Sequence, residues 1–347
     1  MTLHDVVTLA AERTTPGRLM AAEGDAVSIS APRPLQIWVA LVTVYLVWGS
    51  TYLAIRVVVE TAPPLLAMGA RFLLAGALLG TFLTLRRGSR VLRVGRNQLG
   101  GAAVVGLLLL LGGNGGVATA EQTVPSGLTA LLVAATPLWL VCLRTVARDR
   151  PARLSLAGTV LGFLGISVLV RPGASLGEGV QTGGLLLVVG AAGCWALGSF
   201  LSSRLPMPQD AFVATTWEML LGGAGLVLGG VLRGETAGFD LGQVSGPAWA
   251  WLAYLVLIGS IVAFSAYVWL LQHAPISLTA TYAYVNPVVA VLLGALVLAE
   301  PITGAVVAGG AIVVLGVALV VSAERPSRPR PSSTPVTADD RVVDLPA

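Results

Sequence analysis

Trp48-Gly-Ser-Thr-Tyr52, followed 23 positions after its tryptophan by Arg71-Phe-Leu-Leu-Ala-Gly76, returns later as Trp195-Ala-Leu-Gly-Ser-Phe200. At the same spacing of 23 it is followed by Glu218-Met-Leu-Leu-Gly-Gly223. Further along, the correspondence continues with a shift of 150. Gln122 lies over Gln272, Pro125 over Pro275, Pro137 over Pro287 and Pro151 over Pro301, and Leu128-Thr-Ala130 recurs as Leu278-Thr-Ala280. An ordered series of this kind, with one three-residue adjustment, reads as an internal duplication.

The duplicated stretches lie in a strongly apolar background. Of 347 residues, 55% are hydrophobic and only 11% charged, against about 25% charged in an ordinary soluble domain. Mean hydropathy is +0.84. A water-soluble fold is thereby excluded. Apolar segments long enough to span ~30 Å of hydrocarbon as helices recur ten times, at 35–56, 63–85, 98–120, 124–146, 154–170, 181–203, 210–232, 247–271, 277–299 and 302–322. Prolines 63, 64, 125, 151, 247, 275 and 301 fall at or near the expected helix starts, where a missing N–H is tolerated. The 42 glycines suit membrane helices. The polar stretches 1–33 and 323–347 read as disordered cytosolic arms.

All 21 basic residues are arginine, which excludes lysine Schiff-base chemistry and a P-loop. With the N-terminus placed in the cytosol, 17 arginines fall on the cytosolic side. Only Arg56, Arg171 and Arg233 fall opposite, and Arg71 is left inside a span. This is a strong positive-inside pattern, with both termini cytosolic in a bacterial inner membrane. Five helices per repeat is an odd number, so residues 34–170 and 181–322 enter the membrane in opposite senses. The expected fold is an all-α polytopic protein of ten transmembrane helices in two inverted five-helix repeats. That plan recurs in secondary transporters, with the site near the midplane between the halves.

Trp48-Gly-Ser-Thr-Tyr52, Arg71-Phe72, Thr136-Pro137-Leu138, Asn286-Pro287, Glu300 and the glycine-rich tenth segment carry a further resemblance. Over about 38–321 the chain resembles the ten-helix EamA-type members of the drug/metabolite transporter superfamily. The resemblance implies export of small metabolites, amino acids or drugs from the cytosol, often by proton exchange. It also implies a cavity lined mainly by helices 1, 3, 4, 6, 8 and 9. The chain departs from the pattern in one place. Arg148-Asp-Arg150-Pro151 stands where members often carry a Glu after helix 4, and Glu300 is accordingly given no functional weight.

Arg71 and Glu218 are the two charges clearly inside spans, at equivalent repeat positions. At 1.5 Å per residue each lies ~12 Å from its starting interface, which leaves them ~6 Å apart along the membrane normal of a ~30 Å core. They read either as a state-dependent ion pair, with Glu218 a proton carrier, or as a fixed structural pair. Asn114, among Gly112, Gly113, Gly115 and Gly116, marks either a loosened helix exposing polar backbone or a tight packing seam. Trp48, Thr51 and Tyr52, with Trp195 and Ser199, combine rings and hydroxyls as a cavity for an amphipathic solute would; interfacial anchoring is the alternative. Tyr267, Tyr282, Tyr284 and Asn286 cluster in helices 8 and 9, with Tyr282 and Asn286 on one helical face.

Thr136-Pro137 and Asn286-Pro287 place a polar residue before a helix-interrupting proline, so Pro137 and Pro287 read as hinges or substrate contacts. Glu121, Gln122 and His273 sit at helix ends, where a wet interface is expected. Cys142 and Cys194 read as small core residues. No cofactor or metal site is expected. The expected partners are a small-molecule substrate and the lipid bilayer, without nucleic acid, and the chain is expected to act as monomer or homodimer. The rival readings are a polytopic membrane enzyme, for which no nucleophile–base pair is evident, and a non-transporting scaffold.

Overall fold

The computed structural model describes residues 34–171, 176, 179–274, 276–279 and 281–323. The N-terminal arm, the tail beyond 323 and the helix-start Pro275 lie outside them. The apolar segments form helices α1 (Pro34–Val59), α2 (Pro64–Arg87), α3 (Arg96–Ala120), α4 (Ser126–Val146), α5 (Arg153–Val170), α6 (Thr182–Ser202), α7 (Ala211–Leu232), α8 (Gly246–Tyr267), α9 (Tyr282–Leu298) and α10 (Gly304–Ala323). Nine are long and apolar enough to cross a membrane, and α9, at 17 residues, is shorter. The described residues contain no strand. The fold is all-α and polytopic.

Local chemistry sets the ends. Pro64 opens α2 where its missing N–H is harmless. Asp210 caps α7 by accepting from the Phe212 and Val213 amides, and Ser245 caps α8 at Ala248 N. The expected 277–299 helix is divided into Ile276–Thr279 and Tyr282–Leu298. Between them Thr281 turns its hydroxyl to Leu278 O and hydrogen-bonds the Tyr45 hydroxyl of α1, which fixes the break.

The packing carries the two-fold relation of the halves. α1 packs on α8 and α9; its repeat counterpart α6 packs on α3 and α4. α7 lies against α3 as α2 lies against α8, and α2–α7 and α5–α10 each pair a helix with its own counterpart. α3 and α8 also share a feature that periodicity does not announce. Each is wound as a π-helix in its middle, over Leu107–Gly115 and Leu255–Val262. π-turns leave backbone groups less regularly paired and gather at functional sites.

One contact set breaks the symmetry. The face bearing the ends of α2, α4 and α6 is rich in arginine (Arg86, Arg87, Arg144, Arg148, Arg150, Arg204); the opposite face carries Arg56, Arg171 and Arg233. Toward this arginine-poor face, α1 packs on Gly116–Ala120 of α3, and both α1 and α9 pack on Ser126–Val133 of α4. The other half of α4, Thr136–Val146, packs mainly on α6, α5 and α10. Among the described residues α6 shows no packing of comparable extent on α8 or α9. The α1–α8–α9 and α3–α4–α6 groups therefore meet at the arginine-poor face and part toward the arginine-rich one.

Candidate functional site

The parting of these two groups puts the predicted residues on opposite walls. On one wall, Trp48 of α1, Tyr267 of α8 and Tyr282 of α9 form a ring cluster. Their centroids are 5.0 Å (Trp48–Tyr267), 5.2 Å (Trp48–Tyr282) and 5.6 Å (Tyr267–Tyr282) apart, and the last two pairs meet edge to face. Tilted and edge-to-face rings at such distances attract through their quadrupoles. The cluster forms because Gly49 brings α1 onto α9: a Cβ there would lie 2.7 Å from Val289 and 3.2 Å from the Asn286 carbonyl. Asn286, one turn beyond Tyr282, is 7% exposed, and its side-chain oxygen has no hydrogen-bond partner.

The other wall is built on the π-wound part of α3. Gly112 lies against Cys194 and Gly113 against the Trp195 ring of α6, where added Cβ atoms would approach to 2.9 Å. Gly115 meets Leu65 and Leu226, and Gly116 meets Ala191. The glycine run thus serves close packing within a π-wound stretch of helix. Asn114 sits half-buried in that run. Trp48 and Trp195 therefore belong to different walls and do not touch.

Several predicted hydroxyls turn back on their own helices. Thr51 Oγ1 donates to Trp48 O at 2.6 Å and Ser199 Oγ to Trp195 O at 2.9 Å. Thr136 does something more specific. Pro137 has no N–H to offer the carbonyl four residues back, which is that of Val133, and Thr136 Oγ1 donates to that same oxygen at 2.7 Å. The α-helix is broken at this point into Ser126–Val133 and Thr136–Val146. Pro287, by contrast, is accommodated inside α9 without a break. A break in the helix thus accompanies Pro137, while the break nearest Pro287 lies before Tyr282.

The ion pair suggested for Arg71 and Glu218 does not form. α2 and α7 meet along a seam in which Gly69, Leu73, Gly76 and Gly80 face Val227, Gly223, Met219 and Thr216. Arg71 and Glu218 flank that seam on opposite sides. Arg71, 5% exposed, crosses to the π-wound part of α8, where its Nε donates to Ser260 Oγ at 2.9 Å. Its guanidinium also lies 4.6 Å from the centre of the Phe72 ring. Glu218 instead lies beside Gly106, where the π-wound part of α3 begins. The Arg71 side chain thus reaches the loosened helix of the other half, and the Glu218 backbone lies against the loosened helix of the first half. Among the described residues, the ion pairs are Arg87–Asp210 and Arg144–Asp149, both at the arginine-rich face.

Three residues given little weight by sequence reasoning converge at the arginine-poor face. Arg56, near the end of α1, donates through Nη1 to the backbone oxygen of Glu121. Glu121 is not at a wet interface, because it is fully buried under the junction of α1, α3, α4 and α9. Glu300 does have a structural task. Ala299, at φ 53° in the left-handed region, turns the chain so that the Glu300 carboxylate accepts from Ser126 N at 2.7 Å and Gly127 N at 3.0 Å, capping α4. The sequence signal for this group was the scarcity of charges on that face. Side chains of Gln272 and His273 lie outside the described residues, and Cys142 and Cys194 are free thiols.

A family model of the EamA-like transporter family matches residues 36–171 and 182–322. The inner membrane transporter YedA of Escherichia coli (strain K12), itself named as uncharacterized, is 41% identical over 261 residues, 75% of this chain and 82% of YedA. A Salmonella typhimurium protein named "Probable amino-acid metabolite efflux pump" is 26% identical over 281 residues, 79% of this chain and 90% of that one. A solved crystal structure superposes with a TM-score of 0.55 at 21% identity, over 84% of this chain and 100% of the other, which shows a shared fold. The chain belongs to the EamA-like transporter family and is a multi-pass inner-membrane transporter. Neither the family nor these relatives support the membrane-enzyme reading.

Proposed function

We propose that this member of the EamA-like transporter family exports small metabolites, amino acids or drug-like solutes by alternating access, in exchange for protons. The arginine-rich face is cytosolic, as the positive-inside pattern requires. The observation that carries the reading is the broken symmetry: helices related by the repeat meet at one face and part at the other. Two inverted halves can exchange these arrangements, and exchanging them would close the cytosolic face and open the other. On this reading the parted, arginine-rich side opens to the cytosol.

The walls suit an amphipathic solute. The Trp48–Tyr267–Tyr282 rings offer flat apolar faces, and the Asn286 and Asn114 amides offer polar contacts. Within the spans the two charges are Arg71 and Glu218, which favours a zwitterion or weakly polar solute over a multiply charged one. Glu218, without a partner in the span, is the proton carrier of the cycle. The test is uptake from a metabolite extract into proteoliposomes, with and without a pH gradient and read by mass spectrometry. A solute that accumulates only with the gradient, and does not in Glu218→Gln, is the expected result. No solute moved by folded protein would overturn the proposal.

A further inference from the structure

The arginine-poor face closes over an acid. Glu121 has no solvent exposure, and neither of its carboxylate oxygens has a hydrogen-bond partner. A buried ionised carboxylate without a partner is so unfavourable that such a group neutralises instead. The groups that face it can be named element by element. α1 presents Tyr52 and Arg56, and the α9–α10 connection presents Glu300. In α4 the buried hydroxyls of Ser126 and Thr129 are themselves unpartnered, and α6 meets the end of α3 through Gly184. Arg233, at the end of α7, is engaged with Thr119. Arg56 is spent on the Glu121 backbone oxygen rather than its carboxylate, and Glu300 on the α4 amides.

The repeat shows that the fold does not require this arrangement. By the correspondence of the halves, Leu271 stands at the counterpart of Glu121, Ser203 at that of Arg56 and Arg150 at that of Glu300. The counterpart positions on the other face hold none of the three. The cluster is a one-sided device.

We propose that Glu121 is a proton-binding gate residue: it carries a proton while the arginine-poor face is closed and releases it when that face opens. On opening, the carboxyl O–H bond breaks, the proton passes to entering water, and the carboxylate is left hydrated within reach of Arg56. The proposal deepens the transport reading and rests on its alternation of faces. Burial, reinforced by the negative charge of Glu300 and only partly offset by Arg56, holds the Glu121 carboxyl well above the usual carboxylate range in the closed state. The sign follows from linkage. The closed state binds one proton more than the open state between the two carboxyl values, so acid favours closure, and each pH unit of rise across that window favours opening by about tenfold.

Hydrogen exchange on the purified full-length protein tests this, corrected for the intrinsic pH dependence of amide exchange. In the wild type, protection of peptides over 119–127 and 296–303 is expected to fall about tenfold per pH unit across that window. Glu121→Gln is expected to show wild-type acid protection at every pH. Glu121→Leu is a second neutral variant with the same expectation, and Glu60→Gln, an exposed neighbour, is expected to keep the wild-type response. A response that survives in both Glu121 variants, or no response in the wild type, overturns the proposal. Because the readout needs no substrate, a failed flux assay beside the expected exchange pattern would sink the transport reading and leave the gate proposal standing.

Discussion

Gly316→Leu is expected to prevent recovery of monodisperse protein, because α5 and α10 touch backbone to backbone at that point. A Cβ at Gly316 would lie 2.5 Å from Gly162 N, 2.6 Å from Gly162 Cα and 2.7 Å from Gly158 O. The same seam continues at Gly165, where a Cβ would lie 2.7 Å from Val313 N. None of these neighbours is a side chain that can rotate away. Within lipid, helix association rests on close packing rather than on water exclusion, so a forced separation forfeits the attraction itself. The expected loss is on the order of 3 kcal/mol or more, the upper end for overpacked sites. Gly190, on α6, has open space around it. Gly190→Leu is therefore expected to fold normally and to gain slightly, since glycine in a helix interior is unfavourable by roughly 0.5–1 kcal/mol. Size-exclusion profiles and melting temperatures in detergent check both, and a well-behaved Gly316→Leu protein would contradict the packing described.

Trp48→Ala is expected to lower solute flux by about 30-fold, the consequence of losing ~2 kcal/mol when an aromatic anchor is truncated. Trp48 touches both Tyr267 and Tyr282, so its removal leaves two rings without the surface that orients them. Trp48→Phe should retain part of the flux by keeping a ring at the same place. Thr51→Ala is the informative neighbour, because the Thr51 hydroxyl is already given to Trp48 O within α1. Its flux is expected to stay within about twofold of wild type, since an intrahelical hydroxyl of this kind contributes little. Equal losses in Trp48→Ala and Thr51→Ala, with unchanged melting temperatures, would count against the ring cluster as a solute surface.

Helix number and most boundaries were legible because a bilayer imposes one length on every span, and apolar runs of that length stand out in any order of reading. The break in α4 was legible too, since Pro137 removes a donor wherever it is placed. The π-wound segments of α3 and α8 were not, because their winding is set by the helices packed on them; only the glycines around Asn114 hinted at it. Arg71 and Glu218 misled for a related reason. Depth in the membrane can be counted from sequence, but the side of a helix seam to which a residue points depends on which glycines form the seam. Glu121 shows the same limit from the other side. A charge four residues before Pro125 reads as a loop residue, and nothing local announces that α1, α4 and α9 close above it.

Exchange of the two faces is measured most directly by pairs of spin labels in proteoliposomes, with Cys142 and Cys194 replaced by Ala. Glu60 and Gln122, exposed at the ends of α1 and α3, report the arginine-poor face. Leu35 and Val146, exposed at the start of α1 and the end of α4, report the arginine-rich face. Alternating access predicts two populations for each pair, with the first distance lengthening as the second shortens when solute or pH shifts the balance. Distances that stay fixed, or that lengthen together, would contradict it.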